Sequence, residues 1–364
     1  MTTQVVPAAA SGHVTGGNDR LAGLDVIRVL ALVLVLYTQL ASWFRTDGEP
    51  LGASSLVDDF LVTPLRLDAD LRFFGAALIF LVTGFLVARS AARQGPGEFA
   101  ARRLLRVFPP LWFAALLAWT LVALGQPAVP GVGDADVDDL VSGLLLANFF
   151  QAPGAALVGA AWALLPILAV YAMVGLLLPV FRRSPWLAIA IQVTVCSVLL
   201  SIMPNFDTVA AAAGGTIGAF GTAVVLGEVI WLVWAGHSPL WVGACLGLAC
   251  WVVFAWADRL GYHAGEAYPL ALAYVFLLVV AAVLLGGSVR RLPPVDHLAS
   301  RSFGILLTHQ AVTAAVLAPI AGHTWSALAV AAAVLATLVA AELLHQATER
   351  PAALLARRLR EGAS

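Results

Sequence analysis

Two histidines, two glutamates, a glutamine and an Asp–Arg pair lie inside stretches of otherwise aliphatic residues, and these are the side chains equipped for chemistry. Asp25 and Arg28 stand three apart, so a helix puts them on one face. Gln39 follows Arg28 by eleven residues, close to three turns, and shares that face about 16 Å further along the axis. Glu228, His309, Glu342 and His345 occur in later apolar runs. An imidazole titrates near pH 7 and can take a proton from a hydroxyl. A Gln amide donates and accepts hydrogen bonds but cannot act as a base at that pH. Ionisable groups at membrane depth are costly and tend to mark function, yet each has a plainer reading. Asp25 and Arg28 can be an interfacial pair that sets helix register. Glu342 and His345 lie near the end of their run and can be wetted. Glu228 is a turn or two from the inner surface, within reach of water. A lone buried His is usually a satisfied core residue. By themselves these groups describe a polar cavity in a helical bundle, not an enzyme.

The elements that must position them are membrane helices. Of 364 residues, 61% are hydrophobic and only 11% charged, with a mean hydropathy of +0.92, whereas a soluble domain is roughly half apolar and about a quarter charged. A net charge of -1 points to no nucleic-acid partner. Ten segments have the roughly 20 apolar residues a span needs: 24–44, 71–91, 107–125, 155–181, 185–203, 208–235, 239–257, 267–288, 303–321 and 325–345. The shorter apolar stretch 140–152 reads as a helix at the interface. Loops alternate in charge. Arg89, Arg93, Arg102, Arg103 and Arg106 surround one, Arg182 and Arg183 another, Arg290, Arg291 and Arg301 a third, and Arg350, Arg357, Arg358 and Arg360 fill the tail. The intervening loops carry Asp58 and Asp59, Asp134 to Asp139, Asp207, Asp258 and Glu266. The positive-inside rule then makes both termini cytoplasmic. The expected fold class is all-α, a polytopic transmembrane bundle of about ten spans. It divides into a disordered N-terminus (1–20), the bundle (21–348) and a basic tail (349–364). The first apolar run, with Asp25 and Arg28 at its start, is too long for a signal peptide and reads as a retained span. Cys196, Cys245 and Cys250 all sit in apolar runs and read as small packing residues, with an inter-helix disulfide as the alternative. No H-E-x-x-H, Cys/His ligand cluster or phosphate-binding glycine loop occurs, so no metal is expected. The glycines of AGGTIGAFG (213–221) suit close helix packing.

Several stretches resemble the acyltransferase-3 family of membrane O-acyltransferases. LDVIRVLALVLVLYTQLASWF looks like that family's opening span, and FFGAALIFLVTGFLVA like its F-F-x-L-S-G-F-L span, with Thr83 for Ser and Gly84-Phe85 kept. EFAARRLLRVFPPLW is similar to its R-R-x-x-R-I-x-P loop, matching Arg102, Arg103, Arg106 and Pro109. RSFGILLTHQAV looks like its S-Y-x-I-Y-L-x-H span, matching Ser302, Phe303 and His309. ATERPAALLARRLRE resembles its closing E-R-P, with Glu349, Arg350 and Pro351. The five come in the family's order between residues 20 and 360. The resemblance implies transfer of an acyl group, often acetyl, from cytoplasmic acyl-CoA to a hydroxyl of a carbohydrate, lipid-linked sugar or secondary metabolite, in a bacterial cell membrane. It implies acyl-CoA as co-substrate, with Arg102, Arg103 and Arg106 as the donor site. Arg103 and Arg106 are three apart and would turn together toward phosphates, although the positive-inside rule alone also places arginines there. Asp25, Arg28, Gln39 and His309 are the candidate catalytic set, and Trp162 and Tyr171 the candidate acceptor site.

Two departures bear on activity. The family's opening span carries His eleven residues after its Arg, and here that position is Gln39. Its fourth span reads W-S-L-x-x-E-x-x-F-Y, whereas here Trp162 is followed by Ala163, with Ile167 at the acidic position and Tyr171 kept. General-base help is worth roughly 10²–10⁴-fold, and positioning alone leaves some rate without it. Three explanations follow. Gln39 is an engineered replacement. Or the chain uses another base, His309 being the obvious one. Or the bundle binds an acyl donor or lipid without turning it over. A transporter is the remaining alternative, disfavoured because no repeated halves are visible.

Overall fold

The computed structural model describes residues 21–46, 54–127, 134–151, 156–265, 267–286, 292–320 and 326–352. The segment expected to be disordered (1–20) and the tail beyond residue 352 lie outside them. Ten long helices carry the architecture: α1 (Ala22–Thr46), α2 (Phe74–Ala91), α3 (Pro96–Ala123), α4 (Leu164–Leu176), α5 (Pro185–Ile202), α6 (Val209–Trp234), α7 (Leu240–Arg259), α8 (Tyr268–Leu285), α9 (Pro293–Leu317) and α10 (Ser326–Leu344). Among the described residues, nine helical segments are long and apolar enough to cross a membrane. The exception is α9, which has the length, but Thr308, His309 and Gln310 interrupt its apolar run. The all-α polytopic bundle expected from hydropathy is the fold observed, and the protein is a multi-pass membrane protein.

The centre of the bundle is α6. Its apolar window is 83% buried, against 22% for α7, and it packs against α2, α4, α5 and α7. On the other side of α2, α1 lies against α2, α8 and α9, and α9 lies against α3 and α10. Hydrophobicity does not drive helices together in lipid, so the contact must come from close fit. The α2–α6 crossing provides it through two glycines. A Cβ on Gly84 would stand 1.8 Å from the Val224 carbonyl oxygen, and one on Gly227 would stand 2.0 Å from that of Leu81. The Gly84-Phe85 pair that resembles a family motif therefore has a local physical purpose, letting two backbones touch.

Several local expectations change. The arginine-bearing stretch before the third span is not a loop, because α3 starts at Pro96, with proline inside its first turn, and runs unbroken through Arg102, Arg103 and Arg106. Pro109 and Pro110 within it have no N–H to offer the carbonyls of Leu105 and Arg106. The fourth span is not α-helical throughout, since its outer end, Gly159–Ala163, is a 3₁₀ turn. Glu228 is not reached by water. It is fully buried on α6 and accepts a hydrogen bond from Gln192 Nε2 on α5 at 2.9 Å. The helix expected over 140–152 lies earlier, at Val137–Leu145, because an Asp136–Asp139 capping box starts it there, and a 3₁₀ turn follows at Ala147–Phe149. It is tied to α3 by the Trp112 and Trp119 indoles, which donate to the carbonyls of Leu144 and Asp136. All three cysteines are free thiols.

The glycine crossing is tested by Gly84→Ala. Forced backbone displacement at a packed site costs about 1–3 kcal/mol or more, so the thermal midpoint in detergent should fall clearly. Gly97→Ala, where the added Cβ meets nothing within 4 Å, should leave the midpoint unchanged or slightly raised.

Candidate active site

Three connected spaces run through the bundle from its arginine-rich end. The first is an open basin of about 680 Å³, walled by Asp25 and Arg28 of α1, Arg89 and Arg93 around the end of α2, and Arg102 and Arg106 of α3. Above it is a neck of about 60 Å³ that shares Arg28, Arg103, Arg106, Ser302 and Phe303 with the basin and adds Thr83 and Tyr171. Beyond the neck is an outer chamber of about 470 Å³, lined by Gln39, Trp162, His309 and Gln310 among others. Ile79 and Leu306 line both neck and chamber, so the two spaces adjoin at these side chains.

The structure divides the candidate catalytic residues two and two. Gln39 and His309 face the same outer chamber from α1 and α9. Each lies about 25 Å along its helix from the inner end, at 1.5 Å per residue. Asp25 and Arg28 belong to the basin, joined by an ion pair of 2.9 Å, with Arg28 also reaching the neck. Of the two residues expected around an acceptor, Trp162 lines the chamber. Tyr171 does not. It sits in the neck, its ring 5.0 Å from the Arg103 guanidinium, which Phe99 approaches on another side at 5.1 Å.

The His309 imidazole is buried, and its Nδ1 lies 2.8 Å from the Leu306 carbonyl. A carbonyl only accepts, so Nδ1 carries the hydrogen and, in the neutral ring, Nε2 keeps its lone pair. That is the tautomer a base requires, set by one turn of backbone. In the basin, Arg102 is paired with Glu98 at 2.9 Å, yet the Nε of Arg102 and that of Arg103 are buried with no hydrogen-bond partner among the described residues. Buried donors of that kind want acceptor oxygens. Among the described residues no three His, Cys, Asp or Glu side chains converge to hold a metal ion.

A family model for an acyltransferase domain matches residues 21–345. The chain belongs to the acyltransferase-3 family. No curated protein and no solved structure matches it. The matched range covers the neck, the chamber and the basin lining apart from Glu349 and Ala352. Of the residues that carried the sequence resemblance, Thr83, Ser302 and Phe303 lie at the neck, the α3 arginines in the basin and His309 in the chamber.

Residues that motif reading missed form the outer wall. Phe73 stacks on Tyr268 with ring centres 4.5 Å apart, and both line the chamber. Behind them His263 packs against Phe254 at 4.3 Å, its side chain fully covered, and donates from Nδ1 to Asp258 at 3.1 Å. Its Nε2 is buried with no hydrogen-bond partner among the described residues. The nearby Asp68 accepts from the Ala267 N–H at 3.3 Å, tying the 262–268 segment to the turn before α2. The five-residue spacing of Asp258 and His263 is the signal the sequence offers for this contact. Leu71, in the same turn, has φ 52°, a left-handed conformation that costs a branched side chain about 1–2 kcal/mol.

Burial among the rings lowers the His263 pKa, against the opposing pull of Asp258 and Asp68. The unfolded chain therefore takes up this proton first as pH falls through about 6.5, and the folded chain resists it. The stability due to the neutral ring is complete above that pH and is lost below it. The thermal midpoint in detergent should drop from about pH 7 to about pH 5, and His263→Gln should flatten that part of the slope.

Proposed function

We propose that this acyltransferase-3 member moves a short acyl group, acetyl by preference, from cytoplasmic acyl-CoA to a hydroxyl held in the outer chamber of a bacterial cell membrane protein. The observation that carries the reading is the His309 tautomer, an imidazole whose Nε2 keeps its lone pair, on the lining of the chamber that Gln39 also lines. In the proposed reaction the acceptor oxygen attacks the thioester carbonyl carbon and the C–S bond breaks. The hydroxyl proton passes to His309 Nε2 and then to the departing CoA thiolate, leaving an ester and the CoA thiol. Gln39, unable to take the proton, orients the acceptor or the acyl carbonyl by hydrogen bonding.

The donor's phosphates are assigned to the basin, where Arg102, Arg103 and Arg106 lie and where buried Nε groups lack acceptors. Bidentate guanidinium–phosphate contacts suit that role. The Arg103 guanidinium is held by its ring neighbours rather than swinging free, which favours a fixed contact near the neck. A neck of about 60 Å³ has room for a few waters and so suits a small acyl group over a fatty chain. The narrow passage also keeps bulk water from the thioester. Trp162 presents a ring to the acceptor, while Tyr171 is reassigned from acceptor to donor side through its contact with Arg103.

The reading is tested with purified protein in nanodiscs, radiolabelled acetyl-CoA and a panel of hydroxylated acceptors. His309→Gln should lower kcat by about 10²-fold or more, with the KM for acetyl-CoA little changed. Adding Gln39→His to that variant returns an imidazole to the chamber from the adjacent helix and should restore part of the rate. Arg106→Ala should raise the KM for acetyl-CoA by about tenfold or more, the worth of a charged hydrogen bond. Absence of both acyl transfer and acetyl-CoA binding in the unaltered protein would refute the proposal. Acetyl-CoA binding without transfer to any acceptor would favour a silent binding protein on the same fold.

A further inference from the structure

The walls of the outer chamber are mostly carbon. Phe73, Trp162, Phe220 and Tyr268 contribute rings, and Val35 and Ile79 contribute aliphatic surface. A free sugar brings a hydroxyl on nearly every carbon, and a hydroxyl desolvated against such walls without a partner is penalised. Apart from the hydroxyls of Thr38, Thr216, Tyr262 and Tyr268, the polar side chains sit at two places. Gln39, His309 and Gln310 form one set, on the outer halves of α1 and α9. The other is Arg72, in the turn before α2, exposed and the one charged side chain lining the chamber among the described residues.

Arg72 is in none of the ion pairs among the described residues. The neighbouring carboxylate of Asp68 is engaged with the Ala267 N–H. The preceding residue, Leu71, is the buried leucine held at φ 52°. A branched residue persists in that conformation only where its surroundings impose it, and such positions cluster at ligand sites. Here the strained turn sets Arg72 and the Phe73 ring on the chamber lining. The volume of about 470 Å³ is within the range for a drug-sized ligand, ~300–1,000 Å³.

Resting on the acyl-transfer reading above, we propose that the acceptor is amphipathic: an apolar body against the rings, a reacting hydroxyl at Gln39 and His309, and an anionic group held by Arg72. The anion is a carboxylate or a phosphate, both of which a guanidinium binds through paired hydrogen bonds.

The test is direct binding to the full chain in nanodiscs of zwitterionic lipid, without acyl donor, by isothermal titration calorimetry. The probes are ω-hydroxydecanoate, ω-hydroxydecyl phosphate, the methyl ester of the first, and glucose. At least one anion should bind about tenfold or more tighter than the ester, the worth of a charged hydrogen bond, and glucose should not bind. The tighter of the two anions identifies the headgroup. Arg72→Gln should erase the preference for anions, whereas any partition of probes into lipid would persist in that variant. Arg72→Lys, which keeps the charge without the paired donors, should keep part of the preference. Equal binding of ester and anions, tight binding of glucose, or indifference to Arg72→Gln overturns the proposal, and the comparison among probes needs no variant to fold. Two failures stay separate. Transfer of acetyl to free sugars with no anion binding removes the amphipathic acceptor and keeps the acyltransferase, whereas Arg72-dependent anion binding without transfer to any probe does the reverse.

Discussion

A polar side chain surrounded by hydrocarbon has nothing to bond to except the protein itself or water the protein admits. That constraint sorts the buried polar groups of this bundle into two kinds. Glu228 and Gln192 face each other between α6 and α5 and satisfy part of each other's demand. Asp25, Arg28, Gln39, His309 and Gln310 instead line spaces. The second group lies on α1 and α9, the helices that close the basin, neck and chamber on one side. A membrane protein that retains polar groups facing a cavity is built around what the cavity holds.

Close packing elsewhere makes such a cavity possible. The Gly84–Gly227 crossing brings α2 against the central α6 so tightly that neither position admits a methyl group. With that side of the bundle rigid, α2 can present Ile79 and Thr83 to the channel while its opposite face is sealed. On the outer side the same constraint is met by rings. The Phe73, Tyr268 and His263 stack closes the chamber wall, and Asp258 and Asp68 bond its two loops. The resulting arrangement has an open, basic inner end and an aromatic outer chamber, adjoining where Ile79 and Leu306 line both neck and chamber. A route for a small group between two very different substrates is the proposed use of that asymmetry.

Much of the fold was legible because membrane thickness sets helix length and because arginines mark one end of the bundle. Elements set by local pattern were placed to within a few residues: the long apolar first helix, and a short helix in the stretch before the fourth span, found at Val137–Leu145 rather than 140–152. Residues whose surroundings are made by distant segments were not. Glu228 looked wettable because its partner Gln192 lies thirty-six positions away on another helix. The α3 arginines looked like a loop because their charge lowers hydropathy, although arginine is a good helix former. The 3₁₀ turn at Gly159–Ala163 had no signature of its own. It arises where the Gly159 backbone backs onto the side chain of Gln310. Tyr171 was read with Trp162 from one motif, yet the two occupy different spaces. The Arg72 rim depends on the turn before α2 meeting the segment before α8, far apart in sequence, and no local pattern foretells that.

The central claim is that donor and acceptor meet inside the bundle after entering from opposite ends. Proteoliposomes with the protein in a single known orientation test it most directly, with acetyl-CoA confined to one side and acceptor to the other. Acceptor should be acetylated only when acetyl-CoA is on the arginine-rich side and acceptor on the side of Arg72 and Tyr268. Equal transfer with both substrates restricted to the arginine-rich side would contradict it, because the outer chamber would then take no part.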